Sequence, residues 1–198
     1  STSDSVEQRV GTVGRVHPHL EIKIVDEQGK VVPRGQLGEL CVRGYSVMLG
    51  YWEDHEKSQE VIDSARWMHT GDIAEMDEAG FVKIKGRIKD VVIRGGENLF
   101  PKEIEDFLYT HPDVSDVQVI GLPDARYGEE LCACIILHEH HEITEESIRQ
   151  YCAEHISHNK VPRYVRFFNE FPMTASGKAQ KFKLQEFMRN ELDLKEIA

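Results

Sequence analysis

The sequence predicts an α+β protein with a β-rich, barrel-like first part and a small α/β second part. Up to about residue 86, short segments of alternating polar and apolar residues are separated by glycine-bearing turns. Beyond residue 98, helix-like and strand-like segments alternate along the chain. At 198 residues, with 40% apolar and 30% charged residues, the chain can hold one large or two small domains, each with its own core.

Composition also excludes several classes of function. The net charge of −11 argues against a nucleic-acid binder, because affinity for phosphate backbones comes from clustered Lys and Arg. A few local donors would still suffice to bind a nucleotide. No apolar run approaches the roughly 18 residues that a membrane-spanning helix needs.

The metal-ligating residue types show no metal-site pattern. The four cysteines have no CxxC or zinc spacing, and Cys132 and Cys134 point to one face of a predicted strand. We therefore expect reduced thiols in a reducing, intracellular compartment. The histidine-rich residues 138–141 follow the end of a strand and are interpreted as a solvated turn. The sequence thus predicts no dedicated metal site.

In the first part, alternation predicts strands at residues 20–26 and 37–43, with a turn at 27–30. Asp54 is a suitable N-cap for a helix that runs to about residue 63. A hairpin follows, with strand arms at 73–76 and 81–85 around a turn at 77–80. This arrangement places Asp72 at the start of one arm and Arg87 at the end of the other. Asp72 can accept both hydrogen bonds of a vicinal diol such as that of ribose, or it can simply cap a turn.

Residues 86–98 form the pivot of the chain. Arg87, Lys89 and Asp90 precede an apolar strand at 91–93, which Gly95 and Gly96 end. Adjacent glycines permit left-handed backbone angles or let another molecule approach the main chain closely. The alternative is an ordinary strand, turn and helix, since proline at position 101 suits a first helical turn.

The second part contains predicted helices at 101–111, 144–155 and 181–191, and strands at 114–122, 130–137 and 165–168. A loop at residues 172–178 presents Lys178 near a glycine. It is not a Walker phosphate loop, because Pro172 and Ala179 stand where that motif needs Gly and Ser or Thr. Lys178 is either solvated or a point charge that is delivered to a phosphate.

Four motifs together resemble those of the adenylate-forming enzymes, which include acyl-CoA synthetases, luciferases and carrier-protein adenylation domains. They are Thr-Gly-Asp at 70–72, Gly-Arg-Ile-Lys-Asp at 86–90, Gly-Gly-Glu-Asn at 95–98 and the lysine loop at 172–178. Residues 38–44 and 48–52 are most similar to acyl-CoA synthetases, and among these to the mitochondrial medium-chain group. The resemblance covers essentially the whole chain.

The resemblance implies two half-reactions: a fatty acid reacts with ATP, as its Mg²⁺ complex, to give acyl-AMP, and coenzyme A then displaces AMP. It assigns residues 1–88 to the end of a large AMP-binding domain and residues 89–198 to a small mobile domain that rotates about Lys89. Asp72 and Arg87 would bind the nucleotide, and Lys178 would be catalytic. Gly95, Gly96 and Glu97 would line the coenzyme A tunnel.

Three features of the adenylate-forming family are missing from this sequence. The Ser/Thr/Gly-rich phosphate loop, the adenine-binding aromatic motif and the acyl pocket do not occur in these residues. We therefore expect the chain to be the last third of a ligase and to be inactive alone. Two alternatives stay open: a non-catalytic interaction or regulatory module, and an adenylating enzyme whose acceptor is a carrier protein.

Overall fold

The computed structural model describes residues 4–194. The chain divides into two compact units, Ser1–Lys89 and Asp90–Ala198. The functional assignment of residues 1–88 and 89–198 to a large and a small domain stays a prediction. Within residues 4–194 there is no helix with the length and apolar character needed to cross a bilayer.

The first unit is built around an open antiparallel sheet with strand order β1-β2-β3-β4. Its elements are α1 (Val6–Gly11), β1 (Leu20–Val25), β2 (Gly38–Gly44), α2 (His55–Val61), β3 (Met68–Met76) and β4 (Val82–Arg87). The β-rich character is therefore confirmed, as an open four-stranded sheet. Ile24, Ala74 and Val82 are buried on one face of it, so the alternation in β1 reflects one covered face.

The helix α2 begins where the sequence predicts. The Asp54 carboxylate accepts a hydrogen bond from the backbone N–H of Lys57 at 3.0 Å, which confirms the N-cap. The helix ends at Val61, two residues before the predicted end. Asp63 lies in the turn that follows, where its side chain accepts hydrogen bonds from the backbone N–H groups of Ala65 and Trp67.

In its described residues, up to 194, the second unit combines a five-stranded sheet with three α-helices. After a 3₁₀ turn at Ile88–Asp90, its elements are β5 (Val92–Arg94), β6 (Glu97–Leu99), α3 (Pro101–Leu108), β7 (Val114–Asp124), β8 (Gly128–Leu137), α4 (Glu145–His155), β9 (Tyr164–Phe167) and α5 (Lys181–Glu191). The predicted helices and strands are thus confirmed. The predicted α3 was too long by three residues, and α5 has the predicted ends.

Strand β8 is the centre of this sheet. It pairs antiparallel with β7 along its length, parallel with β9 and antiparallel with the end of β5. One face packs against Ile104 of α3 and Ile148 of α4, and the other against Leu184 of α5. Because both faces are covered, β8 has a continuous apolar sequence rather than an alternating one. All four cysteines of the chain are buried and free, which confirms the expected thiols.

Candidate functional site

The Thr-Gly-Asp motif at residues 70–72 lies in a bulge within β3. Glu39 of β2 is opposite Ile73, and Cys41 is opposite His69, so Leu40 alone faces three residues of β3. Gly71 has φ of +69°, a left-handed value that glycine adopts without strain. The sequence pattern predicts a strand that starts only at residue 73, after this motif. This prediction is wrong, because β3 begins at Met68 and the bulge interrupts it.

Side chains from both strands hold this bulge in place. Glu39 accepts a hydrogen bond from the Gly71 N–H at Oε1 (3.0 Å), and its Oε2 lies 2.6 Å from His69 Nδ1. The Thr70 hydroxyl donates to the backbone carbonyl of Leu40 (2.8 Å) and accepts from the Asp72 N–H (3.1 Å). These contacts fix the position of Asp72 without using its carboxylate.

Asp72 and Arg87 are direct cross-strand neighbours on β3 and β4. Arg87 Nε lies 3.1 Å from Asp72 Oδ1, and the two side chains are 51% and 25% exposed, respectively. Among residues 4–194, no hydrogen bond ends on Asp72 Oδ2. The structure thus brings together two residues that the sequence singled out, with a carboxylate oxygen available to hydroxyl donors.

Cys41 is the buried member of a group that includes Glu39 and His69. Its Sγ lies 3.5 Å from His69 Nδ1. Burial, reinforced by the charge of Glu39, raises the pKa of the Cys41 thiol to about 11, so the thiol is protonated near neutral pH. Sequence reasoning missed Glu39 and His69. The two-residue spacing of Glu39 and Cys41 was visible, but their approach to His69 depends on the strand register.

Gly95 and Gly96 form the two-residue turn of a tight hairpin between β5 and β6. Their φ values are +60° and +86°, and Arg94 pairs with Glu97 across the turn. The Gly95 N–H donates to the Tyr127 carbonyl at 2.8 Å. A side chain at position 95 would meet the Tyr127 ring at 3.3 Å, whereas position 96 faces open space. The turn therefore needs glycine for its backbone angles and leaves room above Gly96.

Two further residues with predicted roles, one in the tunnel and one at the hinge, lie in or next to this hairpin. Glu97 is exposed and accepts a hydrogen bond from Asn159 Nδ2 at 2.7 Å. Lys89 is exposed within the 3₁₀ turn that precedes β5. Strand β6, which contains Glu97, was not predicted, because three residues are too few to show an alternating pattern.

Lys178 lies at the end of a closed loop in the second unit. Its backbone carbonyl accepts from the Thr174 N–H at 2.8 Å, and its N–H donates to the Thr174 hydroxyl at 3.0 Å. Its side chain is exposed, and no hydrogen bond or ion pair of residues 4–194 involves its ammonium group. The loop backbone is therefore ordered, while the charge remains available to an anion.

A cavity of about 370 Å³ opens in the second unit beside β8. Arg94, Arg149, His158 and Arg163 line it together with Glu130. Arg94 Nε lies 2.7 Å from Oε2 of Glu130, which is buried, and this bond raises the pKa of the Arg94 guanidinium. The other two arginines pair with carboxylates outside the cavity, so its positive charge is largely balanced.

The histidine-rich turn at 138–141 is exposed, as predicted. His141 Nδ1 lies 2.5 Å from Asp113 Oδ1, and His111 Nδ1 is 3.9 Å from the other oxygen of the same carboxylate. Within the described part of the chain, the only cluster of three or more metal-ligating side chains with all ligand atoms close together is Glu39, Cys41 and His69.

Comparison with known protein families identifies two matches in the chain. Residues 1–52 match the model of the AMP-binding enzymes, and residues 103–178 match that of the AMP-binding enzyme C-terminal domain. The chain is also 54% identical over 194 residues to the mitochondrial medium-chain acyl-CoA ligase ACSF2 of Bos taurus. That alignment covers 98% of this chain and 32% of the relative. The chain thus spans about one third of the length of such curated relatives.

Solved structures show the same fold. ATP-bound MatB from Rhodopseudomonas palustris superposes with a TM-score of 0.85 at 35% identity, over 91% of this chain and 36% of that one. The anthranilate CoA ligase AuaEII in complex with anthranoyl-AMP gives a TM-score of 0.84 at 36% identity, over 93% and 36% of the two chains. The mixed α/β architecture with antiparallel sheets is therefore that of adenylate-forming enzymes.

Proposed function

We propose that this chain, which carries AMP-binding enzyme domains, supplies about one third of an ATP-dependent acyl-CoA ligase. In the first half-reaction, a fatty-acid carboxylate oxygen bonds to the α-phosphorus of ATP and pyrophosphate leaves. In the second, the sulfur of coenzyme A bonds to the acyl carbon and the C–O bond to AMP breaks. Mg²⁺ enters as part of the ATP complex, where oxygen ligands and phosphates suit it.

The observation that carries the proposal is the Asp72–Arg87 pair in the clamped bulge of β3. A carboxylate with one oxygen held by an arginine and the other available can accept hydrogen bonds from the ribose hydroxyls. Since Glu39 and Thr70 hold the bulge before any ligand binds, Asp72 loses little freedom on binding.

Lys178, in this proposal, supplies positive charge to the α-phosphate and the acyl carboxylate during adenylation. Its ammonium group has no partner within residues 4–194 that would compete for it, and a compact lysine charge suits a phosphate. Gly95, Gly96 and Glu97 flank the path of the coenzyme A thiol in the second step. The open space above Gly96 supports that role. Lys89 is the hinge at which the small domain turns between the two steps.

The acyl substrate and the location follow the named relative. ACSF2 is a mitochondrial medium-chain ligase by name, so we propose a medium-chain fatty acid as substrate, a role in fatty-acid metabolism and a mitochondrial location. A carrier-protein acceptor is the second reading for the thioester step, and coenzyme A is favoured because the relative and AuaEII are both named as CoA ligases.

A chimera tests the proposal directly. It joins the upstream two thirds of the bovine ligase to this chain, and we call it the bovine chimera. We expect fatty-acid-dependent exchange between ATP and pyrophosphate, and thioester formation when coenzyme A is added. The upstream part alone and the 198-residue chain alone are the controls, and neither should form thioester. A folded chimera that is no more active than its upstream part would instead favour a non-catalytic interaction module.

A further inference from the structure

We propose that Glu39, Cys41 and His69 form a binding site for a soft divalent cation, with Zn²⁺ as the preferred ion. The proposal is independent of the ligase activity. Each side chain offers one ligand atom, and these atoms all lie within 4.8 Å of one another. Glu39 and Cys41 are two residues apart on β2 and so share a face, and His69 is directly opposite Cys41 on β3.

The distances suit a tetrahedral ion. Zn–S bonds of about 2.3 Å and Zn–N bonds of about 2.0–2.1 Å place the two ligand atoms about 3.5 Å apart at tetrahedral angles. Cys41 Sγ and His69 Nδ1 are 3.5 Å apart. Glu39 Oε2 is closer to His69 Nδ1, at 2.6 Å, because a hydrogen bond joins them. Tetrahedral Zn–O and Zn–N bonds need these two atoms about 3.4 Å apart, so the Glu39 carboxylate must move by about 0.8 Å to admit an ion.

The donor set selects among cations. A thiolate and an imidazole favour Zn²⁺ over Mg²⁺ and Ca²⁺, which prefer oxygen ligands. The thiolate and the carboxylate together balance the two positive charges of the ion. On binding, the Cys41 thiol proton leaves to solvent. The His69 imidazole, whose Nδ1–H donates to Glu39 in the free protein, exchanges protons with solvent so that its one proton lies on Nε2 and Nδ1 binds the ion. Lys23, opposite Cys41 on β1, has its ammonium over the Trp67 ring at 4.4 Å.

The surroundings provide both support and access. The Gly71 N–H donates to Glu39 Oε1, which orients the carboxylate and directs Oε2 toward His69. Cys41 is fully buried, whereas the side chains of Glu39 and His69 are 19% and 33% exposed. An ion therefore enters between Glu39 and His69 and meets the sulfur behind them. Three protein ligands leave a fourth position for water.

Cobalt titration of the 198-residue chain tests the site, since Co²⁺ substitutes for Zn²⁺ and reports its ligands by absorption. We expect one equivalent of Co²⁺ to give a thiolate-to-cobalt charge-transfer band and the intense visible bands of four-coordinate cobalt. Added Zn²⁺ should abolish both. Absence of the charge-transfer band from the folded chain at millimolar Co²⁺ would overturn the proposal.

Variants then assign the ligands. Cys41→Ser should remove the charge-transfer band, and His69→Gln should weaken Co²⁺ binding by at least about 10-fold to 100-fold while circular dichroism shows an intact fold. Cys152→Ser, which alters a buried thiol in the second unit, is the matched control and should bind Co²⁺ as the parent does. A band that survives Cys41→Ser, or one that disappears in Cys152→Ser, would contradict the assignment.

Discussion

At the scale of single residues, the proposed role of Asp72 in binding ribose depends on its carboxylate. Oδ1 of that carboxylate lies 3.1 Å from Arg87 Nε, and Oδ2 is available to a ligand. Asp72→Ala in the bovine chimera removes the acceptor for the ribose hydroxyls, a loss of about 1.5–3 kcal/mol. We expect the KM for ATP to rise by about one to two orders of magnitude with the fold intact. Steady-state kinetics over a range of ATP concentrations would measure this.

Glu75→Ala is the matched control for that change. Glu75 is on the same strand and pairs with Lys85 of β4 at 2.9 Å, so its loss costs a comparable cross-strand ion pair. Its KM for ATP should stay within about twofold of the parent, as expected for a surface pair. Equal KM increases in both variants would mean that Asp72 only stabilises the hairpin.

Glu39 is a positioning residue in this account, because it reaches Asp72 only through the bulge. Glu39→Ala leaves the Gly71 N–H without its acceptor and should raise the KM for ATP about tenfold. Glu39→Gln keeps an oxygen that can accept that bond and should restore most of the affinity. If the alanine and glutamine variants bind ATP equally poorly, the charge of Glu39, rather than its bond to Gly71, is what matters.

Some contacts between single residues could be predicted from the sequence, and others could not. The adjacency of Asp72 and Arg87 was predictable, since a hairpin around residues 77–80 forces its two arms together. The cluster of Glu39 and His69 was not, because the residues are 30 positions apart and meet only through the bulged register of β2 and β3. Bulges follow from tertiary packing and leave little trace in hydrophobic periodicity.

At the scale of elements, the hairpin between β5 and β6 tests the proposed thiol path. Gly96→Leu in the bovine chimera places a large side chain in the open space above the turn and should slow the thioester step while sparing adenylation. Gly96→Ala is the control, since any side chain at φ of +86° carries similar backbone strain. Because alanine adds little bulk, it should leave both steps close to normal.

If the alanine variant loses as much thioester activity as the leucine variant, backbone strain in the hairpin explains the loss. The space above Gly96 would then have no role in admitting the thiol.

A charged side-chain pair, Arg94 and the buried Glu130, adds to the backbone pairing that attaches β5 to β8. Among residues 4–194, Arg94→Ala leaves this carboxylate with Arg163 as its one ion-pair partner, 3.9 Å away. We therefore expect a loss of about 3 kcal/mol in opening free energy. Native-state hydrogen exchange of the β8 amides would measure it. Arg126→Ala is the control, because this exposed guanidinium also lies over the Tyr127 ring, whereas the ion pairs of Glu130 within the described residues are with Arg94 and Arg163. Equal losses would assign the effect to the ring contact.

Elements were predicted well wherever a long periodic pattern or a cap marked them. Strand β8 was visible as a continuous apolar run, and α4 by its Thr144 cap. Strand β6 was missed because it has three residues, and α3 ends early because its last predicted residues turn into β7. Short elements are determined by their partners rather than by their own sequence.

At the scale of the whole molecule, the central claim is that one chain serves two successive reactions with different residues. The division of the chain at Lys89 and Asp90 into two compact units is compatible with a hinge there. Lys89→Pro locks the φ angle of that residue and should hinder a rotation that follows adenylation. Lys178 is needed only before the rotation, so the two residues should affect opposite half-reactions.

The most direct test measures both half-reactions separately in the bovine chimera. We predict that Lys178→Ala lowers acyl-AMP formation by about 10²–10³ and leaves the reaction of supplied acyl-AMP with coenzyme A nearly unchanged. Lys89→Pro should show the reverse pattern. Lys183→Ala, at an exposed lysine five positions further on, is the control and should leave both rates unchanged. If Lys178→Ala slows both steps equally, the lysine is structural or the domain does not rotate, and the account of two alternating states is contradicted.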